Sequence, residues 1–299
     1  MRYLTAKRLS KVRALAPELT FNCDSKIVIM SDCHRGTGNW ADNFLNNQHL
    51  FFAALTHYDQ NDFTYIELGD GDELWENRWL DQIISIHNNA FWLMSRFYQK
   101  GKLHLLYGNH DMVKKYDKYT NVHCRTYYNS SVKQSVDLLP NVKYHEGLLL
   151  KSKEFDKTIF LVHGHQGDLI NDTLWKVSRF LVRYVWTHLE LAGLRDPTSA
   201  AKNYVKKGKI EKNISDWAMT NNQMTICGHT HKPVMPEPGK GLYFNDGSCV
   251  HPRCITAFEI ENGAISLVKW SVCTHSDLSL YVCRERLEEP VPLSSYLKD

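Results

Sequence analysis

Short apolar runs separated by polar turns set the rhythm of this chain. Lys26 to Ser31 (KIVIMS) is a continuous apolar run of strand length and reads as a buried strand. Phe63 to Leu68, Leu103 to Tyr107, Thr158 to Val162 and Met224 to Cys227 read the same way, and Val142 to Tyr144 and Leu148 to Leu150 as further short strands. Between them, apolar positions recur at helical spacing. Residues 39–57 carry Trp40, Phe44, Leu45, Leu50, Phe51 and Leu55, and residues 77–100 carry Trp79, Ile83, Ile86, Phe91 and Met94 as core candidates. Residues 5–15 alternate apolar and basic positions and predict a short surface helix. Residues 112–140 are polar and rich in tyrosine and give no assignment. Near the end, Leu242 to Phe244, Cys254 to Ile260 and Ala264 to Trp270 are divided by turn signals at 245–248 and Asn262-Gly263, which predicts an antiparallel finish to a sheet. The fold class is α/β.

Residues 169–221 break the strand–helix alternation. Leu174, Val177, Leu181, Val185 and Leu189 repeat at helical spacing, with Lys176, Arg179 and Arg183 together on another face. A second basic cluster, Lys202, Lys206, Lys207, Lys209 and Lys212, follows Pro197. The segment reads as an inserted helical cap in one domain of residues 1–299, either a cationic lid for an anionic substrate or a solvated basic face. Trp175, Trp186 and the basic residues would also allow peripheral contact with a membrane.

Composition narrows the class. Hydrophobic residues make up 43% and charged residues 23% of 299, ordinary for a globular protein with a sizeable core. A net charge of +3, with no basic stripe and interleaved aromatics beyond the cap, argues against nucleic acid. No apolar run approaches a membrane span, and no secretory signal follows the basic N-terminus. The eight Cys form no C-x-x-C pair, so reduced thiols in a cytoplasmic protein are expected.

The chemistry sits where the apolar runs end. Asp32-Cys33-His34 follows the first, Gly69-Asp70 with Asp72 and Glu73 the second, and Gly108-Asn109-His110-Asp111 the third. His163-Gly164-His165 and Gly228-His229-Thr230-His231 close the later two. If extended geometry persists through 32–34, Asp32 and His34 share a face and Cys33 points into packing. Alone, Asp32 is a turn or capping residue and 70–73 a solvated acidic loop. Five strand ends carrying imidazole, carboxylate and amide groups instead suggest a site for divalent cations, which would relieve the repulsion among the acidic residues. Mixed His/Asp/Asn ligation suits Mn²⁺, Fe or Zn²⁺ better than Ca²⁺ or Mg²⁺.

This ordered set, D-x-H, G-D-x-x-E, G-N-H-D, H-G-H and G-H-T-H over about residues 27–250, resembles the calcineurin-like metallophosphoesterase superfamily. The resemblance implies a two-sheet β-sandwich flanked by helices, with two divalent metal ions, Mn first among the choices, at the strand ends. It implies that Asp32, His34 and His231 bind the first metal, that Asp70 bridges, and that Asn109, His163 and His229 bind the second. His110 would lie beside the phosphoryl group as the general acid or an electrostatic group, with Glu73 or Asp111 orienting it, and His165 would lie near the first metal. Asp72 and Asp246 are candidates to fix the imidazoles. The implied reaction is in-line attack on a phosphodiester, pyrophosphate or phosphomonoester by metal-bound hydroxide, without a phosphoenzyme. A protein serine/threonine phosphatase and a non-catalytic binding module on the same fold are the alternatives. The first lacks a V-D-R-G tail after Gly69-Asp70, and the second would be expected to have lost ligands. The cap layout is similar to that of UDP-2,3-diacylglucosamine hydrolases, which makes a nucleotide-sugar-like substrate an expectation and Arg35, Lys176, Arg179 and Arg183 its phosphate contacts. Those hydrolases usually carry Arg where this chain has His110 and Asp where it has His165.

Overall fold

A computed structural model describes residues 2–129, 133–186 and 204–297. Helix α1 (Arg2–Leu15) precedes strands β1 (Glu18–Phe21) and β2 (Ile27–Met30). Then come α2 (Gln48–Gln60), β3 (Thr64–Leu68), α3 (Leu80–Ile86), α4 (Asn88–Gln99) and β4 (Leu103–Leu106). The unassigned stretch holds α5 (Asp117–His123) and a hairpin, β5 (Thr126–Asn129) with β6 (Gln134–Asp137). Strands β7 (Tyr144–His145), β8 (Gly147–Ser152) and β9 (Thr158–Val162) lead to α6 (Trp175–Leu181), which is flanked by π-helical turns at Leu169–Thr173 and Val182–Trp186. Helix α7 (Tyr204–Thr220) leads to β10 (Thr225–Cys227), β11 (Tyr243–Asn245), β12 (Cys254–Glu261), β13 (Ala264–Thr274), β14 (Leu280–Pro292) and α8 (Ser294–Leu297).

The strands form two sheets, β1-β8-β9-β10-β11 and β14-β13-β12-β2-β3-β4-β7. Strands β2, β3, β4 and β7 are parallel, while β12, β13 and β14 add antiparallel, as the turn signals predicted. Alternation along each strand divides the apolar side chains between two layers. Ile27 and Ile29 of β2 face the inter-sheet core with Leu150, Ile226 and Phe258, whereas Val28 and Met30 face α2 and α4 with Phe51, Phe91 and Phe97. On the other side, Leu9 and Val12 of α1 join Ile214 and Trp217 of α7 over Phe160 and Val162. The result is a four-layer α/β sandwich, helices–sheet–sheet–helices.

Several expectations shift. Trp40 is fully exposed and the helix predicted over 39–57 begins at Gln48, because residues 36–47 are tied instead by local turns such as Gly38 N–H to Asp42. The helix over 77–100 is broken at His87, and Trp79 and Ile86 face solvent while Ile83, Phe91 and Met94 are buried. The Cys273 and Cys283 thiols, brought together across β13 and β14, form a disulfide, so not all eight cysteines are free. The far half of the 169–221 segment, α7, packs with α1 on the first sheet as a layer of the sandwich. Leu189, Lys202 and the Lys206 and Trp186 side chains lie outside the described residues. Among the described residues no helix is long and apolar enough to cross a membrane.

Leu9 is fully buried between α1 and the sheet. Leu9→Ala is expected to lower unfolding stability by about 2–5 kcal/mol in urea titration; a loss within error would show that α1 is not docked as described.

Candidate metal centre

Because β2, β3 and β4 run parallel in one sheet and β9 and β10 parallel in the other, all five carry their following loops to one end of the sandwich. The first two loops are zipped by backbone bonds: Asp32 N–H to Gly69 C=O (3.0 Å), His34 N–H to Asp70 C=O (2.9 Å) and Arg35 N–H to Gly71 C=O (3.0 Å). Extended geometry does not persist through 32–34. Asp32 (φ 51°), His34 (φ 46°), Asp70 (φ 49°), His229 (φ 66°) and His231 (φ 54°) all sit in the left-handed region. Such a conformation costs a non-glycine residue roughly 1–3 kcal/mol and persists only where its surroundings impose it. Here it turns five polar side chains inward together. Gly108 is required for close approach, since a Cβ there would lie 2.1 Å from Asp70 Oδ1.

Three overlapping groups of ligand atoms result, Asp32/His34/His231, Asp70/His163/His229 and, between them, His34/Asp70/His110. His231 Nε2 lies 2.9 Å from Asp32 Oδ1 and His163 Nε2 3.1 Å from Asp70 Oδ2. His34 Nε2 stands 3.7 Å from Asp32 and 3.8 Å from Asp70, so Asp70 adjoins both outer groups. The tautomers are set from behind. His163 Nδ1–H donates to Leu68 C=O (2.9 Å) and His34 Nδ1–H to the Glu73 carboxylate (2.9 Å), which leaves each Nε2 lone pair facing inward. Asp32 Oδ1, His34 Nε2, Asn109 Oδ1, His163 Nε2 and His229 Nε2 are buried and make no well-aligned hydrogen bond, although Asp32 Oδ1 and His163 Nε2 stand close to His231 and Asp70. Buried polar atoms are rarely left so, and five converging ones of metal-ligand type fit divalent cations.

Electrostatics agree. Burial opposes ionisation of Asp32, but His231 and His163 outweigh it and hold its carboxyl well below the usual range; Asp70 is lowered in the same way by His163 and His110. Conversely, against the cost of burial, Asp70 and Asp32 raise His163 to about 9. The carboxylates draw positive charge from the nearest imidazoles, a demand that a divalent ion meets directly.

His110 stacks on Trp75 (centroids 4.4 Å, 24°) and its Nδ1 lies 2.8 Å from the Glu73 carboxylate. Glu73 therefore braces both His34 and His110. Burial works against the protonated His110 ring, yet Glu73 and Asp70 raise its pKa. Asp111 does not orient His110: it accepts from Gly108 N–H (2.7 Å) and Gly71 N–H (3.2 Å) and pairs with Lys114 (3.1 Å). Asp111 thus ties the Asp70 loop to the Asn109 loop.

Two expected phosphate contacts are committed elsewhere. Arg35 is fully buried, with both Nη atoms on Glu67 (2.8 Å each) and Nε on Asp72 (2.7 Å). Asp72, expected near the imidazoles, is consumed by Arg35 and Lys114. Arg183 donates to the carbonyls of Leu74 (2.5 Å), Trp75 (3.0 Å) and Asn77 (3.1 Å), pinning the cap to the acidic loop. Lys176 and Arg179 lie over the Trp175 ring at 5.8 and 4.9 Å. His165 neighbours His163 and His229 (5.5 and 6.4 Å), placing it beside the second group rather than the first. Asp246 reaches the site through Ser31, whose hydroxyl lies 2.7 Å from Asp246 and 2.5 Å from Asp32. Sequence reasoning missed Trp75, Ser31, Glu67 and Lys114. Only Glu67, a charge inside an apolar strand, was visible as an anomaly.

The profile of the calcineurin-like phosphoesterase family matches residues 25–233. No curated protein sequence matches the chain. Among solved structures, Vps29 from Chaetomium thermophilum is similar at 10% identity and TM-score 0.41, covering 90% of this chain and 99% of its own. A putative 5′-nucleotidase from Staphylococcus aureus is similar at 12% identity and TM-score 0.36, over 88% of this chain and 54% of that one.

Lys114→Met removes a cation from the buried Asp72 and Asp111 carboxylates. It is expected to cost about 3–5 kcal/mol in denaturant unfolding; an unchanged midpoint would mean that the network does not support the ligand loops.

Proposed function

The chain belongs to the calcineurin-like phosphoesterase family, a class of metal-dependent phosphoesterases, and on that premise we propose that it hydrolyses a phosphodiester or pyrophosphate at a dinuclear centre. The observation that carries this reading is the convergence at one end of the sandwich of five buried ligand-type atoms, none of which makes a well-aligned hydrogen bond. Asp32, His34 and His231 would hold one ion, Asn109, His163 and His229 the other, and Asp70 both. The mixed imidazole, carboxylate and amide donor set suits Mn²⁺, Fe or Zn²⁺. When bound, two such ions polarise a phosphoryl oxygen and make a water nucleophilic near neutral pH.

The protein's own groups do the rest. Gly108 and the Asp111 bridge keep the Asp70 and Asn109 loops at fixed separation. Glu73 holds His110 through Nδ1 and favours its protonated form, so Nε2–H is the group that protonates the departing oxygen. Trp75 covers one face of the His110 ring and limits its rotation. Lys176 and Arg179 remain candidates for contacts with a second anionic group on the substrate. Retention of every ligand position favours this reading over a non-catalytic module.

The test is turnover of 4-nitrophenyl mono- and diesters by metal-stripped protein re-supplied with Mn²⁺, Fe²⁺ or Zn²⁺; failure of all three on folded protein would refute it. Asp70→Asn is expected to abolish turnover and lower bound metal while circular dichroism is preserved, and retained turnover would remove its bridging role. His110→Ala should keep its metal content while kcat falls about 10²- to 10⁴-fold. Metal loss in that variant would make His110 a ligand instead.

A further inference from the structure

A cavity of about 360 Å³ lies at the metal end of the molecule, between α1, α7 and the loop after His163. The loop is pressed onto the first turn of α1, where a Cβ on Gly167 would fall 2.4 Å from the Thr5 Cα. Helix α7 descends to Gln223 at the opposite end of the sheet, so its first turns stand beside the metal centre. Lys207 in those turns, half withdrawn from solvent, lies within electrostatic reach of Asp32 and Lys232. Gly164, in the cavity wall, is bonded directly to the ligand residue His163. The cavity wall therefore begins one residue along the chain from a candidate ligand.

The lining is apolar with a surplus of donors. Leu169 and Ile170, both exposed, and Ile210 supply the apolar wall. Gln166 Oε1 accepts from Gly164 N–H (2.9 Å), which fixes the amide orientation and leaves Nε2, buried, as a donor without a partner. Lys209 and Asn213 add an ammonium and an amide. The one carboxylate in the wall, Asp168, already accepts from Ile170 N–H (3.0 Å) and Asn171 Nδ2 (2.8 Å). A volume of this size takes a compact organic group, and an unsatisfied buried donor favours one that brings an acceptor.

We propose that this cavity, walled by Gln166, Leu169, Ile170, Lys209, Ile210 and Asn213, is the subsite for the second ester group of the substrate: a compact, part-apolar group carrying hydrogen-bond acceptors. The proposal rests on the phosphodiesterase reading above. It makes the enzyme selective for diesters with such a group over diesters with a small alkyl group at the same phosphorus.

The test compares thymidine 5′-(4-nitrophenyl phosphate) with methyl 4-nitrophenyl phosphate, which share a leaving group and differ only in the second ester. Wild-type KM is expected to be about tenfold or more lower for the thymidyl diester. Ile210→Trp, which fills the cavity, should erase most of that advantage, raising KM for the thymidyl diester far more than for the methyl one. Asn213→Leu, on the half-buried face of α7, serves if the Trp variant does not fold. Equal wild-type KM values, or a variant that shifts both substrates alike, would overturn the subsite. If neither diester turns over, the phosphodiesterase reading fails by itself. The cavity is then read from the thermal shift given by thymidine 5′-monophosphate: a shift lost in Ile210→Trp supports the subsite, and a shift unchanged in the variant or absent from wild type overturns it.

Discussion

Two carboxylates, Asp32 and Asp70, lie buried side by side at the ends of adjacent parallel strands, and the rest of the site depends on how their charge is met. Just beneath them the protein solves a similar problem differently. Glu67, Asp72 and Asp111 are also buried, and Arg35 and Lys114 neutralise them with fixed cations through bonds at 2.7–3.1 Å. No Lys or Arg is paired with Asp32 or Asp70 among the described residues; their neighbours are imidazoles whose lone pairs point the same way. A buried charge left to titratable partners costs stability that a permanent ion pair would not, and proteins keep such arrangements where a cation is to be bound. The lower network is the rigid floor, and the upper cluster is the part left open for chemistry.

Strain has the same origin. Five candidate ligand residues hold left-handed backbone conformations, each a local cost that glycine would have avoided. Glycine offers no side-chain ligand, so the loops carry the strain at the candidate ligands and place glycine beside them, where Gly69 and Gly108 let the neighbouring loops touch. The zipped backbone of 32–35 against 69–71 and the Asp111 bridge hold that strain in place.

Much of this was legible in the sequence, for specific reasons. The strands that matter are short, continuous and apolar, so their ends are visible, and the polar groups come within three residues of them. The residues that deceived were neighbours of the candidate ligands. Arg35 and Asp111 stand next to site residues in sequence, yet both side chains are buried, Arg35 directly after the left-handed His34 and Asp111 on the backbone N–H groups of Gly71 and Gly108. Arg183 has the spacing of a cap contact but meets backbone carbonyls of the acidic loop, partners that no side-chain pattern announces. Helix α7 read as lid because its Lys residues dominate, while Ile214 and Trp217, the positions that dock it on the sheet, are sparse. The Cys273–Cys283 pair depends on the register between β13 and β14, which composition does not encode.

The central claim is that these loops form one centre for two ions. Anomalous scattering from crystals loaded with Mn²⁺ tests it most directly. Two peaks about 3.5–4 Å apart are expected, one against Asp32, His34 and His231 and the other against Asn109, His163 and His229, with Asp70 between them. A single peak, or two peaks that do not share Asp70, would contradict it.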